Sequence, residues 1–158
     1  MSHTNLQQAC DALVASQKTL LLGTCNAKGD AELSYAPYVR DEQGFYIFIS
    51  ELAKHTQNLR NHPQASVMFI EPEASAKNPF ARQRLTLNCL ADEIAVQDAR
   101  HARQLDALQQ AFGGIVELLR GLPDFHLWLL TPQQGGYVAG FGQAMSVDAQ
   151  LRLQAEAS

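Results

Sequence analysis

TLLLGTCNAKGDAELSYAPYVRDEQGFYIFIS, residues 19–50, decides the fold. Residues 19–25 are a dense apolar run, Asn26-Ala27-Lys28-Gly29-Asp30 supplies turn chemistry, and residues 31–39 resume an extended pattern, so the pair reads as a β-hairpin. Arg40-Asp41-Glu42-Gln43-Gly44 makes a second polar turn into Phe45-Tyr46-Ile47-Phe48-Ile49, whose aromatic and β-branched residues favour a strand. Three antiparallel strands joined by short turns are expected here, which disfavours a sheet built from βαβ crossovers.

Working outward, Leu6, Ala9, Cys10, Leu13 and Val14 fall at helical spacing and predict an amphipathic helix over residues 5–16. On the other side, Leu52, Ala53, Thr56 and Leu59 predict a short helix closed by Asn61-His62-Pro63, because proline disfavours helical geometry in the residue before it. Val67-Met68-Phe69-Ile70 fills a further strand, residues 71–79 form a loop, and residues 82–96 read as a long strand bent near Cys89. Residues 99–119 are helical in composition but divided at Gly113-Gly114. Residues 125–130 and 137–141 predict a last hairpin across Thr131-Pro132-Gln133-Gln134-Gly135-Gly136. Nothing obliges residues 149–158 to fold, and they are expected as a flexible tail. The sum is one α+β domain over residues 1–148, a β-barrel of six or seven mainly antiparallel strands with peripheral helices.

Composition sets the class. A chain of 158 residues, 46% hydrophobic, can bury one core. A net charge of −4 without a concentrated basic patch argues against nucleic-acid binding. The first eight residues are polar and no apolar stretch approaches the roughly 20 residues of a bilayer span, so a cytoplasmic protein with no membrane association is expected. Cys10, Cys25 and Cys89 are odd in number and lack metal-ligand spacing, and buried free thiols are expected rather than a disulfide. There is no Gly-x-Gly-x-x-Gly after a strand, no phosphate-binding Gly-Lys-Ser/Thr loop, no Gly-x-Ser-x-Gly elbow and no histidine-carboxylate pattern for zinc or non-haem iron. No catalytic acid or base can be named.

One stretch does suggest a ligand. Between Ile49 and Leu59 a strand runs into a helix start, where free N–H groups and the positive end of the helix dipole favour an anion. Ser50 reads as the N-cap, Lys54 and His55 add cationic donors, and Thr56 and Asn58 extend the donor surface if they turn inward. An ordinary capped surface helix accounts for the same residues equally well. Arg82-Gln83-Arg84 opens the next long strand, and alternation places both arginines on the face opposite Gln83; on the residues alone, solvation of a sheet face is the favoured reading.

Three stretches in this order resemble a known family: Ser34-Tyr35-Ala36-Pro37-Tyr38 before Gly44-Phe45-Tyr46, then residues 50–59 with Asn61-His62-Pro63, then Arg82-Gln83-Arg84-Leu85-Thr86-Leu87. Over about residues 19–144 the chain resembles the FMN-binding split barrels of the pyridoxamine 5'-phosphate oxidase superfamily, and more closely their haem-utilisation branch; Gly140-Phe141-Gly142-Gln143-Ala144 looks like that branch's closing strand. The resemblance implies a Greek-key split barrel and a homodimer, with a small planar acidic ligand in each of two pockets built from both subunits: FMN in the oxidases, haem in the haem-utilisation proteins. By position it places Ser50, Lys54, His55, Thr56 and Asn58 at the flavin phosphate, Ser34, Tyr35 and Pro37 along the ring, and Arg84 near the ring edge. It implies first an FMN-dependent oxidoreductase, with a haem-binding or haem-degrading protein as the alternative and a catalytically silent ligand-binding barrel as a third reading. Haem-degrading members use a histidine near the C-terminus supported by an acidic residue across the interface. Asp124 matches the acidic partner, whereas Met145 to Ser158 contains no histidine, a departure from that pattern. His126, alternating with Leu127 close to Asp124, is expected in a structural or surface role.

Overall fold

The computed structural model describes residues 2–154. Helix α1 (His3–Ala15) precedes β1 (Thr19–Cys25), β2 (Ala31–Pro37), β3 (Val39–Asp41) and β4 (Gly44–Ser50). Helix α2 (Lys54–Asn61) leads to β5 (Gln64–Ile70), two short 3₁₀ turns and β6 (Arg84–Glu93). Helices α3 (Ala99–Phe112) and α4 (Gly114–Arg120) precede β7 (Phe125–Val138) and β8 (Ala144–Val147). All strands belong to one antiparallel sheet ordered β2-β1-β5-β6-β7-β4-β3, with β8 added along the second half of β7. This is the α+β split barrel expected.

The two ends of the sheet are consecutive pieces of chain. β2 lies at one edge and β3 at the other, and only Tyr38 stands between them. Residues 31–39 therefore do not form the single strand that their extended pattern predicts. Pro37 has no N–H for a ladder, and Tyr38 turns inward, 8% exposed, with its ring 5.5 Å from both Phe45 and Phe69 in edge-on contacts. Its hydroxyl reaches the carbonyls of Val14 at 3.0 Å and Gln17 at 2.8 Å, tying the seam to the end of α1. Leu20, Leu22, Val67, Phe69, Leu85 and Leu87 fill the interior behind it.

A second core lies outside the barrel wall. Tyr46, Leu127 and Leu129 face Leu105, Leu108 and Val116, so α3 and α4 cover β4 and the first half of β7. The helices meet at Gly113, whose φ of +84° ends one and starts the other, as Gly113-Gly114 predicts. Cys10 and Cys89 are buried free thiols, each pushed up to about 12 chiefly by burial, and Cys25 is a half-buried free thiol.

Three boundaries differ from expectation. The last hairpin is replaced by one 14-residue strand: β7 passes straight through residues 131–136. Its turn-like residues serve a bulge, because Cys89 pairs with Pro132 and Asn88 with Gln134, leaving Gln133 as the extra residue of β7 opposite Asn88 and Cys89. A Cβ at Gly135 would strike the Thr86 carbonyl, so glycine here allows close strand approach. The reversal comes later, with Ala139 N–H donating to Gln143 C=O. β6 begins at Arg84 and ends at Glu93 rather than spanning residues 82–96. The segment expected as a tail packs through residue 153: Leu151 and Leu153 are buried, Leu153 bridges to Val147, and the Gln7 side chain bonds Leu151 C=O at 3.0 Å and Leu153 N–H at 2.8 Å. Residues 155–158 of that expectation lie outside the described residues. No described helix is long and apolar enough to cross a membrane.

Tyr38→Phe removes the hydroxyl from two inward carbonyls while keeping the ring. It is expected to cost about 1–2 kcal/mol in urea unfolding with an unchanged m-value; a loss near zero would mean that the seam does not depend on that contact.

Candidate functional site

At the β4–α2 junction, Ser50 Oγ donates to Asp124 Oδ2 at 2.9 Å and accepts from Leu52 N–H at 3.1 Å. Ser50 is therefore not the helix N-cap expected. α2 starts at Lys54 behind Ala53, which offers no side-chain cap, and Ser50 caps the intervening turn instead. Thr56 Oγ1 donates to Ser50 C=O at 2.6 Å, and Asn58 Nδ2 donates to Thr24 Oγ1 at 3.0 Å and Glu32 Oε1 at 2.7 Å. His55 Nδ1 lies 2.9 Å from Ser34 Oγ. The structure thus gathers Ser34, Ser50, His55, Thr56 and Asn58, but their hydrogen bonds run inward and fasten α2 across β1, β2 and β4.

Charge at the junction is sparse. Burial holds the His55 imidazole below its ordinary value, so it is neutral near pH 7. Lys54 is exposed and enters no ion pair among the described residues. The backbone N–H groups of Lys54 and His55 also have no partner there, leaving a modest positive corner.

The remaining residues sit on the sheet's outer face. Tyr35 is 64% exposed, Pro37 is exposed beside it, and the register places Tyr35, Leu21, Met68, Thr86, Gly136 and Ser146 in one row across the sheet. Arg84 alternates with buried Leu85 and so faces this side, donating to Arg82 C=O at 2.9 Å. Arg82 precedes the strand and turns back onto Glu71 C=O at 2.9 and 2.7 Å, so the two arginines diverge rather than forming a pair. Among the described residues, no helix covers this part of the face, α3 and α4 lying over β4 and the first half of β7. Two clefts cross it: one of about 610 Å³, largely apolar, walled by Gly23, Leu33, Ala65, Ser66 and Leu90, and one of about 650 Å³ walled by Thr86, Gln134, Gly136 and Ser146. They share Asn88 and Gln133, and neither is lined by Ser50, Lys54 or His55. These floor residues were not among those expected at the site. Their signal was alternation: Gly23, Ser66, Thr86 and Asn88 are small or polar residues interleaved with core positions.

Asp124 and His126 belong to a bracket between α2 and the barrel. Glu51 N–H donates to Asp124 C=O at 2.7 Å. Arg60 bridges Glu51 at 3.0 Å and Glu93 at 3.2 Å, and His126 sits between the same carboxylates, Nε2 3.1 Å from Glu51 and Nδ1 3.8 Å from Glu93. The 3.1 Å approach lacks hydrogen-bond geometry, so Nε2 is buried without a hydrogen bond. The structural role expected for His126 agrees with this placement. No group of three or more His, Cys, Asp or Glu side chains is placed to hold a metal ion among the described residues.

The sequence matches the pyridoxamine 5'-phosphate oxidase family over residues 6–139. The chain belongs to that family. Within it, similarity is strong to heme proteins. The chain is 41% identical over 131 residues to heme oxygenase HutZ of Vibrio cholerae serotype O1, covering 83% of this chain and 74% of the relative. The crystal structure of HutZ, described there as a heme storage protein, superposes with a TM-score of 0.80 at 38% identity over 87% of this chain and 96% of that one. Campylobacter jejuni ChuZ gives 0.86 at 30% identity, covering 98% of this chain but 63% of ChuZ. A pyridoxinephosphate oxidase family protein from Clostridium acetobutylicum, at 14% identity and a TM-score of 0.67, shares the fold.

Because the folded chain holds His55 below 6.5, the unfolded chain binds more protons as pH drops through that value. Stability is full above it and falls below it. His101, lowered by burial and then by Arg120, adds to the same slope. Unfolding free energy is expected to decline from about pH 7.5 to about pH 5.5, and His55→Gln to flatten the decline without abolishing it; an unchanged slope in the variant would remove His55 from the effect.

Proposed function

We propose that this member of the family binds haem on the uncovered outer face of its sheet, in a pocket completed by a second copy of the chain. The observation that carries the reading is the bare face itself. Leu21, Leu33 and Tyr35 are 44%, 87% and 64% exposed beside a largely apolar cleft of about 610 Å³, a contiguous apolar surface of the kind that marks ligand or subunit contacts. The heme named for HutZ, at 41% identity in sequence and 38% in the superposed structure, supports the same ligand.

The residues fit the macrocycle. Gly23 and Ser66 give a low floor on which a flat ring can lie, Leu33 and Tyr35 give apolar walls, and Arg84 on the same face suits a propionate. Lys54 and the free N–H groups at the start of α2 suit the second acidic group if it reaches the sheet edge. Binding of the ring is the reading these residues support. Bound haem would supply a redox-active iron and an intense visible chromophore; the chain's own part is to orient the ring, match its carboxylates and exclude water.

The flavin reading, placed first on sequence, ranks second. A ribityl phosphate needs several converging donors, whereas Ser50, Thr56 and Asn58 spend theirs inside the subunit and His55 is neutral, leaving Lys54. Support for FMN comes from the wider family.

Haem titration of the purified protein is expected to give a Soret band saturating at one haem per subunit, on a dimer. Leu33→Asp should yield monomers in sedimentation and weaken haem at least tenfold. Arg84→Glu should weaken it about tenfold with the dimer intact. A protein that carries flavin absorption and gives no Soret band, or that binds haem equally well as the Leu33→Asp monomer, would overturn the proposal.

A further inference from the structure

A second pair of cavities lies apart from the two clefts, around the end of α3. One, of about 360 Å³, opens between the end of α1 and β3 and is lined by Val14, Lys18, Tyr38, Arg40 and Phe112. The other is a narrow slot of about 150 Å³, almost wholly apolar, lined by Pro37, Phe48, Leu108, Ile115 and Leu119 as well as Phe112. Phe112 walls both, and the consecutive residues Pro37 and Tyr38 wall one each.

The two halves differ in chemistry. Lys18 and Arg40 are exposed, and neither enters an ion pair or a side-chain hydrogen bond among the described residues. The Arg40 guanidinium stands 5.3 Å from the Phe45 ring centroid, a contact that positions its charge without neutralising it. In an acidic chain, two unspent cations beside one cavity form a local site for an anion. At the slot, Ile115 and Leu118 of α4 are 55% and 64% exposed, and Leu122 just beyond is 42% exposed. An apolar body therefore has a place to lie next to a carboxylate.

We propose that this composite cavity binds a free medium-chain or long-chain carboxylate, its head at Lys18 and Arg40 and its chain along Phe112 into the slot of Pro37, Phe48, Ile115 and Leu119. The slot is well below the roughly 300 Å³ of a drug-sized pocket, and its almost wholly apolar lining suits an alkyl chain that continues from a head held at Lys18 and Arg40. The site is separate from the clefts assigned to haem, with which it shares no lining residue.

The test is a titration of the purified protein with hexanoate, octanoate and decanoate, and with decanol as the uncharged analogue, all below their micellar concentrations and followed by amide NMR shifts. Shifts are expected to centre on residues 37–40 and 111–119, with affinity rising by up to about fourfold per methylene buried and decanoate binding at least tenfold more tightly than decanol. Lys18→Gln with Arg40→Gln should remove the preference for the acid over the alcohol, and Ile115→Asp should weaken both. These positions are exposed, so the variants should unfold like the parent. Shifts scattered over the surface or centred on the outer sheet face, equal binding of acid and alcohol, absence of chain-length dependence, or an unchanged preference in the double variant would each overturn the proposal.

Discussion

The curl of the sheet depends on one seam. β2 and β3 are opposite edges of the sheet yet follow each other in sequence, so the chain can satisfy both ladders only by bending the sheet until those edges meet at Tyr38. The tyrosine makes the meeting favourable: its ring fills the space against Phe45 and Phe69, and its hydroxyl meets the carbonyls where α1 ends. Leu20, Leu22, Phe69, Leu85 and Leu87 can then converge as a single interior. A flat sheet of the same strands would leave that side exposed.

The wall formed by the seam has unequal surroundings, and the proposed function rests on the inequality. Over β4 and the first half of β7, the outer side carries Tyr46, Leu127 and Leu129 and is roofed by α3 and α4. Over β1, β5, β6 and the second half of β7 it carries Gly23, Ser66, Thr86, Asn88 and Gly136 beside Leu21 and Met68, a low surface that none of the described helices covers and that leaves room for something flat. The short α2 belongs to neither side. It is fastened by polar bonds from His55, Thr56 and Asn58 and by the Arg60 bracket, with Leu59 as its buried apolar contact. Residues that look like a ligand grip are largely the fittings of that helix.

This division explains what could be seen in advance. Strands β1, β4 and β5 were legible because their apolar and β-branched residues alternate or cluster between real turns, and the break at Gly113-Gly114 was legible because glycine alone tolerates its backbone there. The hairpin expected at residues 131–136 failed because proline and paired glycines have two uses. They make turns, but they also relieve a bulge and allow close strand approach, and only the partner strand reveals which. Burial of Leu151 and Leu153 was invisible for a similar reason, since their receiving groups, Gln7 and Val147, are distant in sequence or contribute only a bridge. At the candidate site, residue types were legible and directions were not. Ser34 and Tyr35 are neighbours on one strand, but one meets His55 and the other faces outward.

The long strand β7 is shared by three others: β6 along its length, β4 on one half and β8 on the other. During synthesis at roughly 5–20 residues per second, everything through α4 leaves the ribosome before β7 does. For that interval β4 and β6 each present an unsatisfied edge, the kind of template on which nascent chains stick to one another. The last fifth of the described fold thus carries the strand that closes both edges, and until it arrives the preceding segments hold two open ladders that pair only with β7.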